Sequence, residues 1–93
     1  MKSNFTRRHT LVLPDLELAD CPIKVSLWLV PRGSRLAAGD AVLEVVAGSA
    51  TVDLPSPVAG VLRKKLVDEE QTLAVGQELA VIEEEEDPGP TKQ

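Results

Sequence analysis

Leu29-Val-Pro-Arg-Gly-Ser-Arg-Leu-Ala-Ala-Gly-Asp-Ala-Val-Leu-Glu-Val45 is followed, 37 residues along, by Leu66-Val-Asp-Glu-Glu-Gln-Thr-Leu-Ala-Val-Gly-Gln-Glu-Leu-Ala-Val-Ile82. Leu29 falls on Leu66, Val30 on Val67, Leu36 on Leu73, Gly39 on Gly76, Val42 on Leu79 and Val45 on Ile82. Each copy reads as a strand, a polar turn, a short apolar anchor, a glycine turn and a second strand. Neither copy could bury its apolar face alone, so the spacing predicts two half-barrels packed on each other about a pseudo-twofold axis.

Between the two copies, Val42-Leu-Glu-Val-Val-Ala-Gly-Ser-Ala-Thr-Val-Asp-Leu54 divides at Gly48-Ser49 into a β-hairpin, because glycine accepts the positive φ that tight hairpin turns demand. Carrying the repeat spacing on from Ser49 reaches Glu86, beyond the last strand, so the hairpin tip is expected at the opposite end of the domain from the C-terminal tail. Outward from this centre, turn-forming residues recur at intervals of roughly 8–12 residues from Thr10 to Glu83. The runs between them are rich in Val and Leu, and none keeps a helical apolar stripe. The expectation is an all-β barrel or sandwich, with strands near 10–13, 23–30, 42–47, 50–54, 59–67 and 79–83 and two short ones near 35–36 and 72–73.

Ninety-three residues, 43% apolar and 27% charged, suit one globular domain with a modest core. Residues 1–9 read as a flexible N-terminus, 10–84 as the domain, and 85–93, with the acidic run into Pro88-Gly89-Pro90, as a disordered tail. The longest charge-free stretch, Leu54 to Leu62, contains two prolines and is far short of the ~20 residues that cross a bilayer. No secretory leader is expected, since Leu11–Leu13 is broken at once by Pro14 and Asp15. With a single cysteine, Cys21, a reducing cytoplasm is the expected compartment. A net charge of −5 and only two aromatics, Phe5 and Trp28, argue against nucleic acid as a partner. The basic clusters Arg7-Arg8 and Arg63-Lys64-Lys65 read as solvated faces, and Trp28 as structural cover over a sheet.

Catalytic chemistry finds no constellation here. The one histidine, His9, lies in the N-terminal approach, away from any serine it could activate, and Glu69-Glu70 falls in a turn. Cys21 has no Cys or His at metal-ligand spacing. The expectation is no enzyme, no catalytic residue and no metal site.

Four ordered blocks then carry a resemblance: Leu13-Pro-Asp-Leu16, Trp28 through Asp40, Ala50-Thr-Val-Asp-Leu-Pro-Ser-Pro-Val-Ala-Gly-Val-Leu62, and Thr72 through Ile82. Together they resemble the lipoyl domain of 2-oxo acid dehydrogenase acyltransferases, whose fold the biotinyl carrier domains share. The resemblance covers about residues 10–84 and implies a flattened barrel-sandwich of two four-stranded antiparallel sheets. In that family the hairpin tip carries an Asp-Lys-Ala triplet, and the lysine takes lipoate through an amide. Registered on Ala50-Thr51-Val52 and Pro55-Ser56-Pro57, the attachment position is Ser49, flanked by Gly48 and Ala50.

A serine hydroxyl would give a hydrolysable ester where a carrier arm needs a durable amide, so neither lipoate nor biotin is expected as a cofactor. Lys24, Lys64 and Lys65 fall within expected strands, and Lys2 and Lys92 in the termini. A phosphopantetheine carrier would place its serine at a helix N-terminus, unlike Gly48-Ser49-Ala50. The leading reading is an unmodified lipoyl-like domain kept as a protein-interaction or scaffolding module. Its partner would be a dehydrogenase-complex component or another protein that recognises lipoyl domains. Contact is expected through Ala47, Gly48, Ser49 and Ala50 with Arg32 and Arg35, taken to share one end of the barrel. Two further readings stand beside it. One is a lipoyl carrier of acyltransferase type with a displaced or substituted attachment residue, and the other is a fragment of a larger protein with a lipoyl-like domain.

Overall fold

The computed structural model describes residues 5–17 and 21–85. Eight strands follow in order: β1 (Phe5–Val12), β2 (Ile23–Trp28), β3 (Arg35–Leu36), β4 (Ala41–Ala47), β5 (Ala50–Pro55), β6 (Gly60–Lys65), β7 (Thr72–Leu73) and β8 (Glu78–Glu85). They form two four-stranded antiparallel sheets, ordered β1-β8-β6-β3 and β5-β4-β2-β7. The sheets face each other across a core that includes Leu13, Val25, Val42, Leu43, Val45, Leu62, Leu79 and Ile82, each at most 1% exposed. Burying one such aliphatic side chain contributes roughly 1.5–3 kcal/mol.

The repeat in the sequence is a repeat of bonds. Gly33 N–H donates to the Leu62 carbonyl at 2.7 Å, and Glu70 N–H, 37 residues on, donates to the Val25 carbonyl at 2.9 Å. Leu62 N–H returns to the Ser34 carbonyl as Val25 N–H returns to that of Gln71, both at 2.9 Å. Each half therefore hydrogen-bonds its turn to the first strand of the other. The glycine turns match as well, with φ of 94° at Gly39 and 86° at Gly76.

Simple alternation fails at five shifts of register; one lies between Phe5 and Arg7, and the other four come in pairs. Ser26 in β2 and Arg63 in β6 are the extra residues of one pair; Val42 in β4 and Leu79 in β8 are those of the other. A bulge places two residues against one and bends the strand. Consequently Val42 with Leu43, and Leu79 with Ala80, are consecutive residues buried together.

Strand boundaries differ from expectation mainly at the two ends. β1 begins at Phe5 rather than near Thr10, so Phe5 and Arg7 to His9 of the expected flexible terminus are paired, and β8 runs on to Glu85. Polar side chains add to this ladder: Arg7 Nε lies 3.7 Å from Glu84 Oε1, and His9 Nε2 donates to the same oxygen at 2.8 Å. The remainder of the expected termini, residues 1–4 and 86–93, lies outside the described residues. Phe5 and Glu85 are themselves cross-strand partners.

Trp28 ties the halves together. Its indole N–H donates to the Val67 carbonyl at 3.0 Å, its backbone N–H donates to Glu69 Oε2 at 3.2 Å, and Lys65 Nζ stands 5.0 Å from its ring centroid. The side chain packs half-buried against the core, which makes it structural cover as expected.

Candidate functional site

Ala47 and Ala50 are cross-strand partners, so Gly48 and Ser49 alone make the turn between β4 and β5. Gly48 has φ of 61°, while Ser49 keeps negative φ. Positive φ at the first central residue only is the type II′ arrangement, whose twist suits a two-residue hairpin and whose first position demands glycine. Ser49 therefore sits, exposed, at a position any L-residue can occupy.

Not every residue expected at this tip contributes surface to it. Gly48, Ser49 and Ala50 are exposed, but Ala47 is 4% exposed and belongs to the core, because its Cβ falls on the inner face of β4. Arg32 and Arg35 are not beside the tip. Leu29 N–H donates to the Val42 carbonyl, so β2 parts from β4 about 20 Å from Gly48 at 3.3 Å per residue. The chain then crosses to the other sheet, where Arg35 pairs with Val61 and its guanidinium bonds the Glu85 carboxylate. Glu85 N–H in turn donates to the Ala59 carbonyl, at the end of the barrel remote from the hairpin turn. The sequence could not distinguish these placements, because β3 contributes only two residues and belongs to the sheet opposite β2.

The neighbour that the structure does bring to the tip is Cys21. A Cβ built on Gly48 would lie 3.5 Å from its exposed Sγ. Ile23, two residues later, opposes Ala47, and this pairing anchors the β1–β2 connection against the hairpin.

The described lysines stand on strands. Lys24, exposed on β2, lies between Val46 of β4 and Thr72 of β7; Lys64 and Lys65 end β6, opposite Val81 and Ala80 of β8. Lys2 and Lys92 lie outside the described residues. His9 is engaged with Glu84 in the sheet that does not contain the hairpin, so no described imidazole stands beside Ser49. Among the described residues no three His, Cys, Asp or Glu side chains converge as a metal-ligand set would.

Residues 17–82 match the family model described as "Biotin-requiring enzyme". The chain is 36% identical over 78 residues to the dihydrolipoyllysine-residue acetyltransferase component of an acetoin cleaving system from Pseudomonas putida, a match covering 84% of this chain and 21% of the relative. It is also 36% identical over 80 residues to the mitochondrial pyruvate dehydrogenase complex protein X component of Chaetomium thermophilum, covering 85% of this chain and 18% of that protein. The chain thus spans about a fifth of the length of these curated relatives. Among solved structures, a single-chain, multi-domain long-chain acyl-CoA carboxylase superposes with a TM-score of 0.70 at 19% identity, over 95% of this chain and 8% of the other. That likeness is one of fold.

Proposed function

The chain belongs to the biotinyl/lipoyl domain family, and from that membership we propose that it is an unmodified lipoyl-type domain serving as a protein-interaction module in a dehydrogenase-type assembly. The observation that carries the reading is Ser49. A carrier arm needs an amine at the apex of the hairpin, and the apex here offers a hydroxyl between Gly48 and Ala50. The matched relatives are components of acetoin-cleaving and pyruvate dehydrogenase systems, which supports a protein of such a complex as the partner. The module itself supplies shape and charge; it transfers no group and holds no lipoate or biotin.

A second reading, that of a carrier with a displaced arm, is favoured by Lys24. Its ammonium is exposed on β2 opposite Val46, the residue two before Gly48, so an arm attached there would emerge from the same end of the barrel. An amine rising from a central strand lacks the projection of a turn, which is why the unmodified reading is preferred. Intact mass of the protein isolated from its own cells separates the two. The sequence mass alone is the expected result, and a lipoyl-sized or biotinyl-sized addition mapped to Lys24, Lys64 or Lys65 would overturn the proposal.

A further inference from the structure

In a molecule whose halves repeat bond for bond, a surface is informative where the repeat breaks. Arg8, Glu83, Val61 and Arg35 are successive cross-strand partners on β1, β8, β6 and β3. Thr51, Val46, Lys24 and Thr72 hold the same places on β5, β4, β2 and β7 of the other sheet. Partners in a row project to one side of their sheet. For the first row that side is the outer one, since Arg8 and Arg35 are exposed and Val61, though 7% exposed, stands apart from the core cluster. Beside this row, Arg63 and Lys64, both exposed, take the places of Ser26 and Leu27, and Arg32 in the turn before β3 takes that of Glu69. Arg32 and Arg63 line one hollow of about 300 Å³ with Gly33 and Leu62. The chain as a whole carries −5. This face nevertheless gathers Arg8, Arg32, Arg35, Arg63 and Lys64 against Glu83 and Glu85, five cations to two carboxylates.

The fold does not call for these cations, because the twin row builds the same sheet from Thr51, Val46, Lys24 and Thr72. Glu83 and Glu85 orient two of them: Arg63 Nε donates to Glu83 Oε1 at 2.7 Å, and Arg35 donates to Glu85. Exposed pairs of this kind contribute little, so a ligand carboxylate can share the guanidinium groups at small loss. We propose that this outer face, remote from the hairpin apex, docks a short acidic segment of a protein partner. The segment lies across the row from Arg8 to Arg35 and sets one carboxylate in the hollow between Arg32 and Arg63. At about 4.8 Å between strands the row spans roughly 14 Å, the reach of about four or five extended residues. The proposal rests on the interaction-module reading and names the partner's chemistry. Size disfavours a second copy as the occupant, because a basic strip roughly 14 Å by 10 Å is far below the ~800 Å² that each partner buries in a stable pair. Nucleic acid is disfavoured because the row holds no aromatic ring on which a base could stack.

The test titrates the isotope-labelled full chain at low salt with a capped hexapeptide of alternating aspartate and glutamate, and reads backbone and arginine N–H resonances. The expected result is saturable shifts at Arg8, Arg35, Val61 and Arg63, with none at Thr51, Lys24 and Ser26. Affinity should fall at least fivefold when Arg32→Glu and Lys64→Glu are combined, with an unchanged urea midpoint showing that the fold is kept. Lys24→Glu, Thr51→Glu and Thr72→Glu together subtract the same charge from the other sheet and should change affinity by less than about twofold. Equal losses in the two variants, or shifts spread over both sheets, overturn the assignment of this face. A single-stranded oligodeoxynucleotide that binds the face more tightly than the peptide overturns the choice of an acidic protein segment. So does a dimer in sedimentation that Arg32→Glu with Lys64→Glu dissociates. Absence of saturable binding overturns the face and leaves the unmodified module standing. A lipoyl-sized mass addition in the protein from its own cells overturns the module and the docking role with it.

Discussion

Glu70 holds the left-handed backbone conformation that Gly33 holds in the other half, with φ of 74° against 92°, and each N–H donates to the first strand of the opposite copy. The same turn is thus built once with the residue that suits it and once without. A left-handed L-residue costs roughly 1–2 kcal/mol, partly offset by the larger unfolded-state entropy of glycine. Glu70→Gly is therefore expected to stabilise the fold by about 0.5–1 kcal/mol. Among the described residues the exposed Glu70 side chain has no hydrogen-bond or ion-pair partner to lose. Urea unfolding followed by Trp28 fluorescence should show a higher midpoint at the same slope, and a lower midpoint would show that Glu70 contributes a stabilising contact.

Gly60 makes the opposite demand, one of space. With the Glu83 carbonyl oxygen 2.1 Å from where a Cβ would stand, Gly60→Ala must push β6 from β8 at the Gly60–Glu84 pair. Overpacking against backbone should cost about 3 kcal/mol or more. Gly39→Ala, which meets nothing within 4 Å and only strains φ, is expected to cost roughly 1 kcal/mol. Equal losses at the two sites in denaturant titrations would refute the assignment of close approach at Gly60.

Ser49→Lys should be silent structurally and audible chemically. The position has negative φ and an exposed side chain, so stability should change by less than about 0.5 kcal/mol. Incubation with a lipoate ligase, lipoate and ATP, beside a modified control domain, should then add one lipoyl mass at residue 49. Adding Gly48→Asp is expected to cost stability, because φ of 61° strains an L-residue and its Cβ would contact Cys21 Sγ at 3.5 Å. An unmodified Ser49→Lys protein beside a modified control would mean that the surface read by the ligase has diverged along with the tip.

Trp28 gives a spectroscopic readout of how the halves are tied. Lys65→Gln removes the cation over its ring and is expected to cost about 0.5–1 kcal/mol, with a shift in the emission of the sole tryptophan. Trp28→Phe also removes the indole donor to Val67, adding roughly 1 kcal/mol. If the double variant Lys65→Gln/Trp28→Phe loses the sum of the single effects, the two contacts are independent and the coupling inferred from the ring geometry is wrong.

Much of this architecture was legible in the sequence because Gly39 and Gly76, and the aliphatic residues around them, recur at a constant spacing. The hairpin at Gly48-Ser49 was legible for a local reason, the positive φ that its glycine permits. What escaped was whatever depends on a neighbour distant in sequence. The pairing of Phe5 and of Arg7 to His9 with β8 is supported by Arg7 and His9 meeting Glu84, and an apolar count does not register it. Glu70 carries no sign of its left-handed φ, since only its partner is glycine. The bulges at Ser26 and Arg63 shift the inward face without any characteristic residue. The placement of Arg32 and Arg35 followed from the two-residue strand β3, and it became visible only when the sheets were assembled.

The pairing of Phe5 with Glu85 has a topological consequence. The described path closes on itself, so its connectivity is that of a ring in which the location of the covalent break is nearly arbitrary. A short linker across this seam, with the backbone opened between Gly48 and Ser49, should yield a circular permutant with the same two sheets. Its new ends would emerge where the intact hairpin has its apex, turning the turn into a pair of attachment points for fused domains.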